Sequence, residues 1–516
     1  MSPQVGLQGF AGAATVPEET RPVAGSVRLD LDASLHRLGH TRFRPGQREA
    51  IERLLAVGRL LLVAPTGGGK SLVYQLPATL LGGTTLVVSP LISLMQDQVR
   101  ALEARGVAAT YLASTLDAAE MRRRLRQLAV GRLALAYVAP ERLAYPGFRA
   151  LLRGLVCPLV AVDEAHCISE WGHDFRPEYL ELGAVLAELK APRVLACTAT
   201  ATPVVRDEIL ARLGLPADTP QIIQGFARPN LALRAAEVDG RRGRARRVDA
   251  LLAETLDPPG TGHGTAIVYA ATRRETEAEC ARLQAAGWAV AAYHAGLDGP
   301  RRDAVQQAFA EGRIEIVVAT NAFGMGIDRP DVRAVVHLAP PGSIEAYFQE
   351  VGRAGRDGRP AIGLLLTAPG DVALRRRLLE RTSAGEVTNA AVLEHKWGLF
   401  LELLRWVEGG SCRHDAILRY FGDEAETLDG CGRCDECLAL REAKETDPAE
   451  TTLIVRKALS GVARMSGRFG IQLAVKLLRG EPDPRLERAG LTATPTFGNL
   501  REHAGPWLLR DRKSVV

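Results

Sequence analysis

Lysine is nearly absent from this chain: of 65 basic residues in 516, seven are lysines, and arginine supplies the rest. Lys70 stands alone in the first 189 residues, so its position calls for a specific chemical reason. No stretch of 18 uninterrupted apolar residues occurs, which excludes a membrane-spanning helix. Residues 1–24 are rich in Gly, Ala, Pro and Val but lack a basic segment ahead of an apolar run. They read as a disordered leader rather than a signal peptide, and the expected compartment is the cytoplasm. Neither global disorder nor a fibrous fold fits 47% hydrophobic and 24% charged residues. A single sign of charge does not dominate either, since the net charge is +5. That excess is concentrated: residues 451–516 carry 12 Lys+Arg against 5 Asp+Glu, which suits an acidic partner such as nucleic acid.

What is present is a repeated alternation of short apolar runs and helical stretches. Strands are expected at 60–64, 85–89, 133–139, 159–165 and 193–199, with helices such as 44–55 and 116–128 between them. A second set of strands follows at 265–270, 289–295, 315–320, 334–340 and 362–368. Buried runs alternating with helices predict parallel, doubly wound sheets, here two α/β units meeting around 225–249. The Arg-rich stretch 240–247 reads as a surface loop. After about residue 370 the pattern becomes helical (372–382 and 389–408), followed by a cysteine cluster and a basic module from 451.

The first strand runs into Ala64-Pro65-Thr66-Gly67-Gly68-Gly69-Lys70-Ser71 and then a helix. Glycines let backbone N–H groups curl around phosphate oxygens, and the helix N-terminus adds its positive end. In such a loop Lys70 reaches the β- and γ-phosphates and the Ser71 hydroxyl ligates Mg²⁺. About 93 residues on, Asp163-Glu164-Ala165-His166 closes another buried strand. Carboxylates there face the crevice where such sheets bind ligands. Asp163 suits Mg²⁺, and Glu164 suits orienting or deprotonating the attacking water, which together point to NTP hydrolysis.

Four of the eight cysteines are clustered. Cys412, Cys431, Cys434 and Cys437 supply the thiolates of a closed, structural Zn²⁺ site. Cys157, Cys167, Cys197 and Cys280 are scattered and read as inert thiols.

Residues 163–179, DEAHCISEWGHDFRPEY, resemble the Walker B segment and aromatic-rich loop of the RecQ family of DNA helicases. Phe43-Arg44-Pro45-Gly46-Gln47 resembles the family's adenine-recognising segment. Thr198-Ala199-Thr200-Ala201, Thr320-Asn321 through Asp328, and 349–356 (QEVGRAGR) resemble its later motifs in order. The resemblance spans roughly residues 30–510. It implies two tandem RecA-like parallel-sheet lobes, a helical zinc-binding domain and a partial winged-helix-like module. The expected limits are 1–28 for the leader, 29–230 and 231–370 for the lobes, 371–448 for the zinc domain and 449–516 for the basic module.

The resemblance also implies roles. Gln47 would pair with adenine, with Arg44 stacking on the base and His40 or Phe43 opposite. Arg353 and Arg356 would reach across from the second lobe to the departing phosphoryl group, Arg356 as the finger and Arg353 as its partner. Trp171 and Phe175, with Arg176, would meet unpaired bases, while Ser89, Thr320 and Asn321 would meet the phosphates of a single strand. The implied activity is an ATP- and Mg²⁺-dependent 3′–5′ DNA helicase in repair and recombination. It would be a monomer acting on single-stranded DNA and on 3′-tailed or branched duplexes, in the cytoplasm and at the nucleoid if bacterial. No wedge hairpin is legible before Val516, nor an HRDC domain. Two other classes remain on sequence grounds: a DEAD-type RNA helicase, against which the zinc cluster and Trp171 loop weigh, and an ATP-independent annealing or clamp protein, against which Lys70, Glu164 and Arg356 weigh.

Overall fold

The structure is a computed structural model that describes residues 30–65, 67–169, 175–323, 329–382, 390–442, 448–465, 469, 471–503 and 508. The leader, Thr66, Trp171 and residues 324–328 lie outside the described residues.

Seven strands form the first sheet: β1 (Arg59–Val63), β2 (Thr85–Val88), β3 (Ala109–Leu112), β4 (Leu135–Val138), β5 (Val160–Val162), β6 (Val194–Thr198) and β7 (Gln221–Ile223). All pairings are parallel, in the order β3-β4-β2-β5-β6-β1-β7. Every residue of β2, β4, β5 and β6 is buried, as strands covered by helices on both faces require. Six strands form the second sheet: β8 (Leu231–Glu237), β9 (Thr265–Tyr269), β10 (Val290–Tyr293), β11 (Ile316–Ala319), β12 (Val332–His337) and β13 (Ala361–Thr367). They too are parallel, ordered β10-β11-β9-β12-β13-β8. Because the strands of each sheet are all parallel, their C-terminal ends lie along one edge, where ligands of such sheets collect.

Several sequence expectations are corrected. Residues 240–247 are not a loop but the first half of a helix, Gly240–Leu256. Arginine is a good helix former, and Val248, Leu251, Leu252 and Leu256 give that helix an apolar stripe buried against the second sheet. The helix expected from residue 44 begins at Gln47, because Pro45 disfavours helical backbone at Arg44 and Gly46 turns the chain at φ +72°. Strand β5 stops at Val162 instead of 165, since Glu164 adopts a left-handed conformation. Strands β3, β7 and β8 have no counterpart among the expected strands.

Beyond β13 the chain is helical. Gly370–Thr382 and Ala390–Glu408 lead to Arg413–Phe421 and Asp435–Glu442, which flank the cysteine cluster. The crossing between the lobes is pinned by aromatic rings. Phe226, just before β8, stacks on Phe348 of the second lobe (5.3 Å) and on Phe421 of the zinc-cluster region (4.6 Å). The C-terminal module packs helix Pro448–Met465 on Ile471–Arg479 around Met465, Leu473, Leu477 and Leu486. Among the described residues of that module there is no strand, and among all described residues no helix is long and apolar enough to cross a membrane.

Candidate active site

β1, β6 and β5 are neighbours, so the loops after them converge. The loop after β1 is built on backbone that only glycine adopts easily: Gly67 has φ +82° and Gly69 φ +78°. A Cβ on Gly69 would stand 2.2 Å from the Gln47 amide nitrogen, so a side chain here would displace the Gln47 amide as well as strain the left-handed backbone. The Lys70 ammonium donates to the carbonyls of Ala64 (2.9 Å) and Pro65 (3.4 Å) across the mouth of the loop. Ser71 follows, half-buried at the start of helix Lys70–Ala78.

The adenine-segment residues are latched to this loop. Buried Gln47 donates its amide to the Gly69 carbonyl (3.0 Å) and accepts from the Arg44 N–H (2.7 Å), while the Arg44 guanidinium donates to the Gly67 carbonyl. His40 is half-buried near Arg44, and burial with the Arg105 and Arg44 charges holds its pKa below the usual imidazole value. Phe43 lies under the guanidinium of Arg48 (4.6 Å).

After β5, Asp163 is 6% exposed. Burial pushes its carboxyl upward in pKa, and the Lys70 charge opposes that shift. The Asp163 carboxylate accepts from the Glu164 N–H (3.0 Å) and from the Cys197 thiol of β6 (3.5 Å). Glu164 sits at φ +48°, ψ +45°, a strained region for a residue with a side chain. This bend turns Glu164 out of the strand direction. His166 joins the turn to the next strand: its Nδ1 lies 3.4 Å from Glu164 Oε2 and 2.8 Å from the Thr198 hydroxyl at the end of β6. Thr198 Oγ1 in turn accepts from the Thr200 N–H (3.2 Å).

The aromatic loop leaves and returns beside this turn. The Arg176 N–H donates to the Cys167 carbonyl (2.9 Å), closing the loop's base, and the buried Tyr179 hydroxyl donates to the Asp163 carbonyl (3.0 Å). Phe175 and Arg176 are half-buried at that base. Ser89, expected at a DNA phosphate, is instead fully buried beside Asp163, because β2 neighbours β5. Thr320 is half-buried after β11 and Asn321 is exposed.

Arg353 and Arg356, expected to act together, face different surroundings. Arg356 lies over the phosphate loop, its Nε 3.6 Å from where a Gly67 Cβ would stand. Arg353 is buried against a cavity of about 600 Å³ between the second lobe and the helices that follow it, lined by Tyr269, Asn321, His337, Glu350 and Lys396. Sequence reasoning passed over Tyr179, Cys197, Arg228 and Asn230. Tyr179 ended the quoted motif and Cys197 preceded another, but nothing in their spacing marked them as contacts of Asp163.

The four cysteine sulphurs lie within 4.8 Å of one another. Backbone N–H groups point at them: Cys431 to Cys412 Sγ (3.2 Å), Cys434 to Cys431 Sγ (3.3 Å) and Cys437 to Cys434 Sγ (3.4 Å). Four sulphurs close enough to share one ion, with amide dipoles at hand to stabilise thiolate, fit a structural zinc. The cage is tied to the fold by Arg413, 3% exposed, which pairs with Asp435 (2.5 Å) and Glu436 (3.1 Å).

Residues 44–208 match the DEAD/DEAH box helicase family, 243–358 the helicase conserved C-terminal domain, 369–438 the RecQ zinc-binding family and 446–510 the RQC domain. The ATP-dependent DNA helicase RecQ of Bacillus subtilis (strain 168) is 37% identical over 472 residues, 91% of this chain and 76% of the relative. The ATP-dependent DNA helicase RecQ of Pasteurella multocida (strain Pm70) is 38% identical over 454 residues, covering 87% of this chain and 68% of its own. Among solved structures, the helicase MrfA bound to DNA superposes with a TM-score of 0.54 at 18% identity, over 76% of this chain and 58% of that one. S. cerevisiae Dbp5 bound to RNA and ADP BeF3 superposes at 0.52 and 16% identity, over 76% of this chain and 91% of that one. The two distant structures share the two-lobe fold alone. This chain also carries the RecQ zinc-binding and RQC regions, which a DEAD-type RNA helicase or an annealing protein would not need. With its phosphate loop, acidic turn, four-sulphur cage and RQC region in one chain, the protein belongs to the RecQ family of ATP-dependent DNA helicases.

Proposed function

We propose that this helicase moves 3′ to 5′ along single-stranded DNA as a monomer, loading on 3′-tailed or branched duplexes in the cytoplasm and serving repair and recombination. The units proposed to carry the work are lobes 29–230 and 231–370, the zinc domain 371–448 and the basic module 449–516. The observation that carries the reading is the position of Arg356, a second-lobe residue, over Gly67 of the first-lobe phosphate loop.

In this reading the Gly67–Lys70 backbone and the Lys70 ammonium cradle the β- and γ-phosphates, and Thr66 belongs to the same loop by sequence. Lys70 is supported by its hold on the Ala64 and Pro65 carbonyls, which fixes the ammonium at the loop mouth. Ser71 and Asp163 would hold Mg²⁺, which draws charge from the phosphoryl oxygens when bound. Glu164 orients the attacking water and takes its proton, with His166 steadying the carboxylate. Gln47, Arg44 and His40 frame the adenine. Because the Gln47 amide reaches the Gly69 carbonyl, base contact and phosphate contact act on one loop. Arg356 stabilises charge on the departing phosphoryl group, so hydrolysis requires the lobes to meet. Phe175, Arg176, Thr320 and Asn321 would contact the strand.

Trp171 lies outside the described residues, but its loop starts and ends at Cys167 and Arg176, next to Glu164. Trp171→Ala should therefore keep basal ATPase and lose its stimulation by single-stranded DNA, a stacking contact of about 1–3 kcal/mol per base being removed. ATPase assays with and without oligonucleotide read this directly, and an unchanged stimulation ratio would make Trp171 a buried anchor instead.

Direction is tested on duplexes with a 3′ or a 5′ single-stranded tail, using Lys70→Ala as the inactive control. Strand separation is expected on the 3′-tailed substrate. The basic 451–516 module should bind duplex with affinity falling steeply as salt rises. A preference for 5′ tails would overturn the proposed polarity.

A further inference from the structure

Between the two sheets the chain runs Phe226-Ala227-Arg228-Pro229-Asn230 before entering β8. Arg228 turns its guanidinium away from this crossing and into the loop after helix Ile344–Val351, which carries Arg353 and Arg356. It donates to three main-chain carbonyls there: Nη1 to Gly352 (3.1 Å), Nη2 to Ala354 (2.7 Å) and Nη2 to Gly355 (3.3 Å). Asn230 adds a second fork, its amide donating to the carbonyls of Gly355 (2.7 Å) and Arg359 (2.8 Å). Gly355 sits at φ +61°, and a Cβ on it would stand 2.4 Å from the Asn230 amide nitrogen, so the loop lies close on the Asn230 side chain.

The bonding is unusual in its electrostatics. A guanidinium ordinarily finds a carboxylate when it leaves water, because an uncompensated charge is costly there. Among the described residues Arg228 has no carboxylate within ion-pairing distance; its partners are carbonyl dipoles. Burial and the nearby Arg356 charge both hold its pKa below the usual arginine value. Fold stability alone does not call for two cations side by side. The arrangement suits a place where negative charge arrives. The crossing is held from its other side as well: Arg433, between two of the cage cysteines, donates to the carbonyls of Arg228 (2.9 Å) and Leu231 (3.0 Å).

We infer that Arg228 is a positioning residue for hydrolysis: by gripping the carbonyls of Gly352, Ala354 and Gly355 it sets where Arg356 stands over the phosphate loop. The inference rests on the reading of Arg356 as the arginine that meets the departing phosphoryl group. The geometry requires a planar fork, since three carbonyls on one short loop are reached by two nitrogens of one group. A lysine ammonium could keep the charge but would hold at most part of that set.

The test is a double-mutant cycle on DNA-stimulated ATPase, with the full chain, saturating single-stranded DNA and zinc content checked for each variant. Arg356→Ala should lower kcat about 10³-fold or more, the scale of an arginine finger. Arg228→Ala should lower kcat roughly 100-fold, the effect of a misplacement of about 1 Å, with the KM for ATP nearly unchanged and zinc retained. Adding Arg228→Ala to Arg356→Ala should change kcat by no more than about twofold, because a residue that acts through Arg356 has nothing left to position. Arg228→Lys should fall between wild type and Arg228→Ala, and it replaces the alanine variant in the cycle if the latter does not fold. Multiplicative losses in the double variant, a change in KM alone, or full kcat in Arg228→Ala would each overturn the inference. An intact kcat in Arg356→Ala would overturn the reading of Arg356, and with it the route by which Arg228 acts.

Discussion

Glu164→Gln is expected to lower the ATPase kcat by about 10²–10⁴-fold, the usual contribution of a general base, while ATP is still bound. Glutamine keeps the shape and length of the side chain, and the left-handed bend at φ +48° is no harder for it than for glutamate. What disappears is the charge that attracts a water proton, together with the charged partner 3.4 Å from His166 Nδ1. The phosphate loop and Lys70 are untouched, so affinity for a non-hydrolysable ATP analogue should stay within a few-fold of wild type. Lys70→Ala is the contrast: it removes a phosphate contact and should weaken nucleotide binding and turnover together, leaving DNA binding largely intact. Steady-state turnover and equilibrium analogue binding, measured on both variants, separate the two roles. A fall of less than about tenfold in Glu164→Gln would move the base to another residue.

Cys434→Ser is expected to take bound zinc from one ion per chain towards none, and to destabilise residues 400–445. Cys434 is fully buried and its sulphur accepts from the Cys437 N–H (3.4 Å), so a serine there offers a harder, protonated oxygen in a cage sized for sulphur. Structural zinc sites contribute on the order of 10 kcal/mol of folding free energy, more than a small helical region can replace from its own core. The damage should not stay local. Asp435, the next residue, pairs with Arg413 and accepts from the Ala235 N–H of β8 (2.9 Å), and Arg433 holds the crossing between the lobes. Metal analysis, limited proteolysis and soluble yield read the effect, and stoichiometric zinc in the purified variant would refute the four-sulphur site.

Much of this protein follows from sequence alone because its signals are local. A strand, a glycine-rich turn, a lysine and a helix in succession define a phosphate loop wherever they occur, and a tight Cys-x2-Cys-x2-Cys run defines most of a zinc cage. The central strands were legible for the same reason: buried on both faces, they read as unbroken apolar runs. The three strands without such a run, β3, β7 and β8, all lie at sheet edges. An edge strand is covered less completely, so LALRAAE in β8 alternates with half-buried positions and carries no continuous apolar signature. Likewise the arginine-rich stretch 240–247 looked like a loop because its apolar stripe lies in the later half of the same helix.

Tertiary structure alone decided which residues meet. Ser89 looked available to DNA in the sequence, yet the order β4-β2-β5 seats it beside Asp163 and buries it. Arg353 and Arg356 are three residues apart, yet one lines a cavity between the second lobe and the helices after it while the other lies over the phosphate loop of the first lobe. Arg228 and Gly352 are more than a hundred residues apart and share no motif. Their contact exists because β8 pairs with β13, which draws the crossing segment against the loop ahead of β13. The chemistry of each group is written in its residue type, and its partner depends on strand order, which no local stretch of chain encodes.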